Sequence, residues 1–352
     1  MRRIACVHAV VLVATAILMA GCGWLRTAPV ETPSSPPKPL KIDTESAIAH
    51  YVKSQGLTDA DALTELGKAL QADPTLSVAH AAEGDIYRRQ GNLELARRAY
   101  EAACDANPYY FKPHYNLGVV YQQLAQGTDD DSLFQKYLNR ACVLYLRANA
   151  IQRKDYDTNL NLAACYFQLG KYSQAEEYCQ AAIAIDDDRP QAWSNLAIIY
   201  DNQAKLTEAI AAYRQSLERD VNQPRLHMNL AASYLRQGWV KDAIGSLKAA
   251  AELEPTFMDP HLLLGTCYYR LKDLDNALAS YERAAELAPR NAEAPRGIGV
   301  VYMAKHLSDK ANTDLRDKAL EAWKRSLQLK PNQPDLVKLL EKYKPTYEEA
   351  AL

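Results

Sequence analysis

The side chains best suited to chemistry are cysteine and histidine, and the chain holds seven of each. Besides Cys6 and Cys22 near the start, the cysteines are Cys104, Cys142, Cys165, Cys179 and Cys267. These five form no Cys-x-x-Cys pair and stand where a helical pattern needs apolar residues, which predicts buried free thiols. A disulfide between Cys142 and Cys165, on adjacent predicted helices, is the alternative.

The other polar clusters do not match known catalytic or metal-binding patterns. His80, His114, His227 and His261 recur at one position of a repeating pattern, so they lie too far apart to share a metal ion. The Asp runs at 129–131 and 186–188 lack the alternating ligands and the glycine of a calcium loop. Phosphate-loop, serine-elbow and zinc-protease motifs are missing. We therefore predict a protein that is not an enzyme, with no metal or other cofactor and no small-molecule substrate.

Composition narrows the class further. A formal net charge of −2 gives no electrostatic attraction to nucleic acid, and a mean hydropathy of −0.34 excludes a multi-pass membrane protein. The 352 residues, 48% of them hydrophobic, are enough for a large core. The 22 Tyr against 4 Phe indicate a recurring structural slot that demands tyrosine.

A 34-residue period runs through most of the chain. Its marker is a Gly-x-x-Tyr or Ala-x-x-Tyr pattern that ends at Tyr87, Tyr121, Tyr166, Tyr200, Tyr234, Tyr268 and Tyr302. All steps between these tyrosines are 34 residues except one of 45. Small residues recur further on in each unit and prolines close most units, so each unit is predicted to hold two helices.

This pattern resembles the tetratricopeptide repeat (TPR) over residues 43–345. The resemblance implies an all-α fold, a right-handed superhelical solenoid of about eight helix-turn-helix units with a C-terminal capping helix. The predicted units are 43–76, 77–110, 111–155, 156–189, 190–223, 224–257, 258–291 and 292–333, followed by the cap at 334–345 and a tail at 346–352. In the family pattern, Gly or Ala at position 8 lets paired helices approach, and Tyr at positions 11 and 24 fills space between units.

Two units are longer than the others. Unit 111–155 has 11 extra residues and unit 292–333 has eight, which are close to whole helical turns. Both helices of each unit are therefore predicted to lengthen and to project from one edge. Drift in a tolerant turn and a protruding partner contact are both open as explanations.

The first forty residues predict export and lipid attachment. Arg2 and Arg3 precede an apolar run at 9–20 that is too short to span a bilayer comfortably. The residues 19–22 then resemble the bacterial lipobox, in which the cysteine, here Cys22, is acylated and becomes the first mature residue. An ordinary signal peptide with an incidental cysteine is the alternative. We predict a signal peptide at 1–21 and, at 22–42, the lipidated Cys22 with a proline-rich tether.

The residues after Cys22 bear on where the anchor lies. In Gram-negative lipoproteins an Asp there tends to retain the protein in the inner membrane, whereas Gly23 and Trp24 stand here. We therefore predict lipid anchoring to the outer membrane, facing the periplasm. The proline-rich stretch favours extended chain of about 3.1 Å per residue and would hold the solenoid about 50–60 Å from the bilayer.

The family resemblance also predicts a binding site. Positions 2, 5, 6, 9, 12 and 13 of each first helix would face a concave groove, and position 6 is Asn116, Asn161, Asn195 and Asn229 in four consecutive units. Such a row resembles the asparagine ladder that holds an extended chain by its backbone, and local backbone capping is the alternative. The other predicted groove residues are Arg88, Lys112, Tyr115, Phe167, Arg236, Tyr269 and Arg270.

These features predict a membrane-anchored scaffold that binds a protein or an extended peptide segment in its groove. The chain resembles the TPR lipoproteins of type IV pilus biogenesis, which implies a role in assembling an envelope complex such as a pilus or its secretin. The alternative is an adaptor that organises peptidoglycan or polysaccharide enzymes. Nothing in the sequence chooses between them.

Overall fold

The computed structural model describes residues 42–344, so the predicted signal peptide, Cys22, most of the tether and the tail lie outside the described residues. Residues 42–344 hold seventeen α-helices and no strand. The first helices of successive pairs, here called A helices, are α1 (Thr44–Ser54), α3 (Ser77–Arg89), α5 (Phe111–Gln126), α7 (Tyr156–Gln168), α9 (Pro190–Asn202), α11 (Pro224–Arg236), α13 (Met258–Arg270) and α15 (Glu293–Ser308). The second helices, or B helices, are α2 (Asp59–Ala72), α4 (Leu93–Ala106), α6 (Asp131–Ile151), α8 (Tyr172–Ile185), α10 (Leu206–Arg219), α12 (Val240–Leu253), α14 (Leu274–Leu287) and α16 (Thr313–Leu329). The last helix is α17 (Pro334–Tyr343).

The helices stack in chain order. Each A helix packs on its own B helix, and each B helix packs on the next A helix. Among the A helices, α3 touches α5, α7 touches α9 and α13 touches α15, and the row of A helices is here called the A-helix wall. The helix α17 packs on α16, where Leu336 is buried and the Tyr343 ring lies 6.4 Å from that of Trp323. The predicted all-α solenoid of eight helix pairs with a C-terminal capping helix is confirmed.

Helix starts follow local sequence signals. The helices α9 and α11 begin at Pro190 and Pro224, whose missing N–H costs nothing in the first turn. Before α2 the Thr58 side chain accepts a hydrogen bond from the Asp61 N–H, and before α14 Asp273 caps the helix in the same way. These signals end each turn at a defined residue and so set the register of the stack.

A large B-helix side chain packed on an A-helix glycine joins the two helices of several pairs. Tyr145 is fully buried against Gly118, where an added Cβ would lie 2.7 Å from its ring. The same arrangement is found in Gly84 with Tyr100, Gly265 with Tyr281, and Gly299 with Trp323. Where the A helix carries Ala163 or Ala231 instead, the B helix carries the smaller Cys179 or Leu247. In these six pairs the two positions are matched in volume, whereas Ala197 stands with the large Tyr213.

The two recurrent tyrosine slots differ in burial. Three of the four position-24 tyrosines, Tyr100, Tyr145 and Tyr213, are at most 1% exposed, and Tyr281 is half-buried. The position-11 tyrosines are mostly half-buried: Tyr166 and Tyr200, for example, are each partly covered by a lysine from the following turn. Position 24 therefore carries more of the packing than position 11.

The recurrent histidines hold the junctions between units. The ring Nε2 of His80, His114 and His227 lies 2.9–3.1 Å from the backbone carbonyl six residues earlier, and Trp193 donates its indole N–H at the same position. Burial lowers the pKa of His114 and His227, which favours the neutral ring. A structural role explains their spacing by whole repeats.

The turns from A to B helix require a left-handed residue, and glycine supplies it at Gly91, Gly170 and Gly238. Ala204 and Lys272 adopt this conformation as well, with φ of 58° and 62°. A left-handed conformation costs a residue with a Cβ about 1–2 kcal/mol, a strain that glycine avoids.

We expect Ala204→Gly to raise the free energy of unfolding by about 0.5–1 kcal/mol, because relief of this strain exceeds the added entropy of the unfolded chain. Urea unfolding followed by circular dichroism measures the change. The control is Gln203→Gly, one residue earlier, where φ is −82° and no strain is relieved. A loss of stability in Ala204→Gly would contradict the strain.

The expanded units lengthen both of their helices, as predicted. The helices α5 and α6 have 16 and 21 residues, and α15 and α16 have 16 and 17, whereas the A and B helices of the pairs from α7 to α14 have 13 and 14. The additional residues lie around the A-to-B turn.

All five cysteines within 42–344 are buried free thiols, as predicted, and Cys142 and Cys165 are among them. Burial raises the pKa of the Cys104 and Cys179 thiols to about 12, so neither is a nucleophile at neutral pH. In the described part of the chain, no helix combines the length and the apolar character needed to cross a membrane.

Candidate functional site

The predicted groove residues near the start of the A-helix wall are engaged in internal hydrogen bonds. Asn116 is buried and donates its side-chain N–H to Asp85 Oδ1 at 2.9 Å. The same carboxylate accepts from the Tyr100 hydroxyl at 2.7 Å and from Lys112 Nζ at 2.6 Å. Asp85 thereby joins α3, α4 and α5. Lys112 and Asn116 are therefore already committed to fixing the angle between two units.

Asn161 is committed in a similar way. Its side-chain N–H donates to the Tyr115 hydroxyl at 3.1 Å, which connects α7 to α5. The Tyr115 ring in turn lies 5.8 Å from Phe111 and 5.7 Å from Tyr145, and burial raises its pKa. Tyr115 thus packs against neighbouring rings and also accepts a hydrogen bond. Internal contacts therefore hold this part of the wall in place without a ligand.

Asn195 and Asn229 differ from the first two asparagines. Asn195 is half-buried and Asn229 is exposed, and neither side chain forms a hydrogen bond to another residue of the described range. Each carboxamide therefore keeps a free donor and a free acceptor, the pair that a peptide backbone needs. The structure brings them to neighbouring helices, α9 and α11, in the middle of the wall.

A small apolar pocket lies beside Asn195. It has a volume of about 150 Å³ and opens between α7 and α9. Phe167 and Ile198 line it together with the small Ala164, and the polar residues Gln168 and Asn195 also line it. Two predicted site residues, Phe167 and Asn195, therefore meet in one place. We call the pocket together with Asn195 and Asn229 the central groove.

Charged residues of the wall are mostly paired. Arg236 binds Asp201 Oδ1 at 2.5 Å, and the Ser233 hydroxyl donates to the same oxygen at 3.2 Å, so α9 and α11 are linked beside the pocket. Arg270 is exposed and has no ion-pair partner within the described residues. Tyr269, next to it, is 37% exposed. These two extend the accessible surface to α13.

Arg88 lies at the other end of the predicted site. It is half-buried, and its Nε has no hydrogen-bond partner in the described range. Because four A helices (α5, α7, α9 and α11) stand between α3 and α13, Arg88 and Arg270 do not act at one point. The predicted residues thus fall into three groups. Those from α3 to α7 form an internally hydrogen-bonded joint, those from α7 to α11 form the pocket with free carboxamides, and Arg270 adds a positive charge on α13.

Three further residues at predicted groove positions contribute, although their tasks could not be read from the repeat pattern. Ala164 and Gln168 line the pocket, and Asp85 organises the joint. One signal was available for the pocket, because Cys179 replaces the position-24 tyrosine of this unit and Ala163 stands where others have glycine. Side-chain pairings such as Asp85 with Asn116 do not recur from unit to unit, so the repeat pattern cannot predict them.

The arrangement suits binding better than catalysis. Among residues 42–344 no three His, Cys, Asp or Glu side chains gather as a metal site would require. The free groups are two carboxamides, an apolar pocket and a guanidinium, which can hold a polypeptide by its backbone and one side chain.

Comparisons with known proteins agree with this architecture. The family model described as the Cilia and flagella-associated protein 70 C-terminal domain, a TPR model, matches residues 43–298. No curated protein matches the chain significantly.

Several solved TPR structures are similar to this chain. The C-terminal part of a TPR repeat-containing protein from Cytophaga hutchinsonii is 19% identical, with a TM-score of 0.58 over 72% of this chain and 97% of that one. YrrB, a TPR protein with an unusual peptide-binding site, is 20% identical, with a TM-score of 0.50 over 56% and 97%. Pseudomonas aeruginosa PilF is 20% identical, with a TM-score of 0.49 over 63% and 96%. At such identities the similarity concerns the fold alone.

Proposed function

Because this chain belongs to the tetratricopeptide repeat family, in the group of the Cilia and flagella-associated protein 70 C-terminal domain, we propose that it is a non-enzymatic scaffold that holds an extended protein segment in its central groove. The observation that carries this proposal is the pair of free carboxamides, Asn195 and Asn229, on adjacent helices beside an apolar pocket. A backbone bound there would not compete with internal hydrogen bonds, as it would at Asn116 or Asn161.

Changing Asn195 and Asn229 together to Ala should weaken peptide binding about five- to hundredfold, since each lost hydrogen bond contributes about 0.5–1.5 kcal/mol. Fluorescence anisotropy with labelled peptides selected on the wild-type protein measures the loss. Asn139→Ala, an exposed change on the B helix α6, is the matched control and should bind normally. Unchanged affinity in the double variant, with helicity intact, would exclude the carboxamides as binding groups.

The proposal extends to where the scaffold works. We place it in the bacterial cell envelope, lipid-anchored through Cys22 to the outer membrane and facing the periplasm. The support is the pattern at 19–22, the basic and apolar segment before it and the proline-rich stretch after it. A tether of this kind would leave the groove free to meet a partner away from the bilayer.

We expect Cys22→Ser to release the protein from membranes, because the acyl chains proposed there would supply its stable anchor in the bilayer. Fractionation of cells and mass spectrometry of the mature N-terminus measure anchoring and acylation. A Cys104→Ser variant, altered at a buried thiol, controls for the loss of a sulfur elsewhere. Membrane retention of Cys22→Ser together with an unacylated wild type would overturn the lipoprotein proposal.

The partner we propose belongs to an envelope complex such as a type IV pilus or its secretin. The lipobox, tether and tandem repeats are the features shared with the lipoproteins of pilus biogenesis. In-cell crosslinking tests this directly, with a photoreactive residue in place of Met228, the half-buried neighbour of Asn229 on α11. A secretin or pilus subunit among the crosslinked peptides supports the assembly role. A cell-wall or polysaccharide enzyme instead would identify the protein as an adaptor for that machinery.

A further inference from the structure

The pocket of the central groove has the size of a single side chain. Its volume of about 150 Å³ is well below the 300–1,000 Å³ of sites for drug-sized ligands. Apolar cavities of this volume bind a group as large as benzene. It therefore suits one bulky side chain of a bound polypeptide rather than a free cofactor.

The lining selects the chemistry of that side chain. Phe167, Ile198 and Ile199 give it apolar walls, and no charged residue lines it. The charged pair that links α9 and α11 consists of Asp201 and Arg236. Its two charges neutralise each other, with 2.5 Å between Arg236 Nη1 and Asp201 Oδ1. An ionised side chain would therefore lose its hydration in the pocket without gaining a partner, whereas an apolar one would gain from burial.

The position of Asn195 adds a constraint on the backbone. Asn195 lines the same pocket and its carboxamide is free, so it is available to bind the backbone of the residue whose side chain enters. The next free carboxamide, Asn229, stands on the adjacent helix, and packed helices lie about 8–10 Å apart. An extended chain covers that distance in about three residues.

We infer that the central groove recognises an extended segment by one uncharged, bulky apolar residue (Leu, Ile, Met or Phe) seated between Phe167 and Ile198, with its backbone bound by Asn195. This inference rests on the proposed function, because it names the anchor of the segment that the scaffold holds. Ala164 lines the pocket with a single methyl group, so a larger side chain there should fill it. Its counterpart at the same position of α11, Ala232, is exposed and lies outside the pocket.

The test uses the chain with labelled short peptide libraries, each with a fixed central residue (Leu, Ile, Met, Phe, Ala, Asp or Lys) and randomised flanks. The wild type should bind the four bulky apolar libraries more tightly than the Ala, Asp and Lys libraries. For the best single peptide, replacing its anchor by Ala should weaken binding about ten- to hundredfold. Ala164→Leu fills the pocket and should abolish this difference, whereas Ala232→Leu should preserve it.

Each outcome is decisive. Peptide binding without a preference for bulky apolar residues, or a preference that survives Ala164→Leu in a protein of normal unfolding midpoint, overturns the anchor inference while the scaffold proposal stands. Absence of binding to every library by the wild type overturns both. If Ala164→Leu alters folding, Phe167→Ala replaces it, because removing one apolar wall should weaken the bulky apolar libraries selectively.

Discussion

Replacing Tyr145 with alanine should lower the free energy of unfolding by about 3–5 kcal/mol, in the range found for other large buried aromatics. Its ring is fully buried, lies on Gly118 and has Tyr115 5.7 Å away, so truncation leaves a cavity between α5 and α6. Its hydroxyl also donates to Gln122, a bond that the truncation removes. Because each unit of a solenoid depends on its neighbours, the loss should spread beyond α5 and α6.

Urea unfolding followed by circular dichroism, with tryptophan fluorescence as a second probe, measures the change. Tyr200→Ala is the matched control, since Tyr200 is half-buried and partly covered by Lys205, and it should cost clearly less. Equal losses at the two positions would show that burial does not distinguish the two tyrosine slots. If the two probes separate in the variant, unfolding is no longer two-state and the midpoints must be compared unit by unit.

The fold was predictable because its information is periodic. Each unit repeats the same small residues, the same tyrosines and the same prolines, so an error at one position is corrected by the others. Pro190 and Pro224 indicate helix starts, and Gly91 indicates a turn, by local chemistry alone. The lengthening of α5 and α6 followed from counting residues against a helical turn.

The site was less predictable because it depends on pairings between units. The four asparagines share one repeat position, yet Asp85 engages Asn116 and the Tyr115 hydroxyl engages Asn161. Both partners stand in the preceding unit, at positions where the other units carry different residues. The same limit applies to Ala204, whose left-handed backbone replaces the glycine expected there. A period describes what the units share, whereas a binding site depends on where they differ.

These differences divide the A-helix wall by task. Near α3 and α5 the polar side chains are already hydrogen-bonded to Asp85. These bonds should make the contact between α3, α4 and α5 resist deformation. From α7 to α11 the joint around Asp85 is replaced by a pocket and free carboxamides, and Asp201, which binds Arg236 and the Ser233 hydroxyl, links α9 to α11. Because these bonds already order the first half of the wall, less conformational entropy should be lost when a segment binds along the second half.

The volume match between position 8 and position 24 leads to a prediction about a single methyl group. Gly118→Ala should destabilise the protein by about 1–3 kcal/mol, because the new Cβ would lie 2.7 Å from the Tyr145 ring and core positions tolerate overpacking poorly. Ala197 with Tyr213 shows that alanine can face tyrosine elsewhere in this chain. At Tyr145, however, the hydroxyl is held by Gln122, so the ring cannot move away without losing that bond.

A second substitution separates this steric cost from a general effect of alanine. Tyr145→Leu in the Gly118→Ala background recreates the pair that the chain itself uses at Ala231 and Leu247. The double variant should therefore be more stable than the sum of the two single changes predicts, by about 1 kcal/mol or more, as measured in a double-mutant cycle by urea unfolding. Additive losses would show that the methyl group and the ring do not compete for space. Gly67→Ala supplies the baseline, because Gly67 lies in a helix and an added Cβ would have nothing within 4 Å. This change should leave the free energy of unfolding unchanged or raise it slightly, since alanine favours the helix more than glycine does.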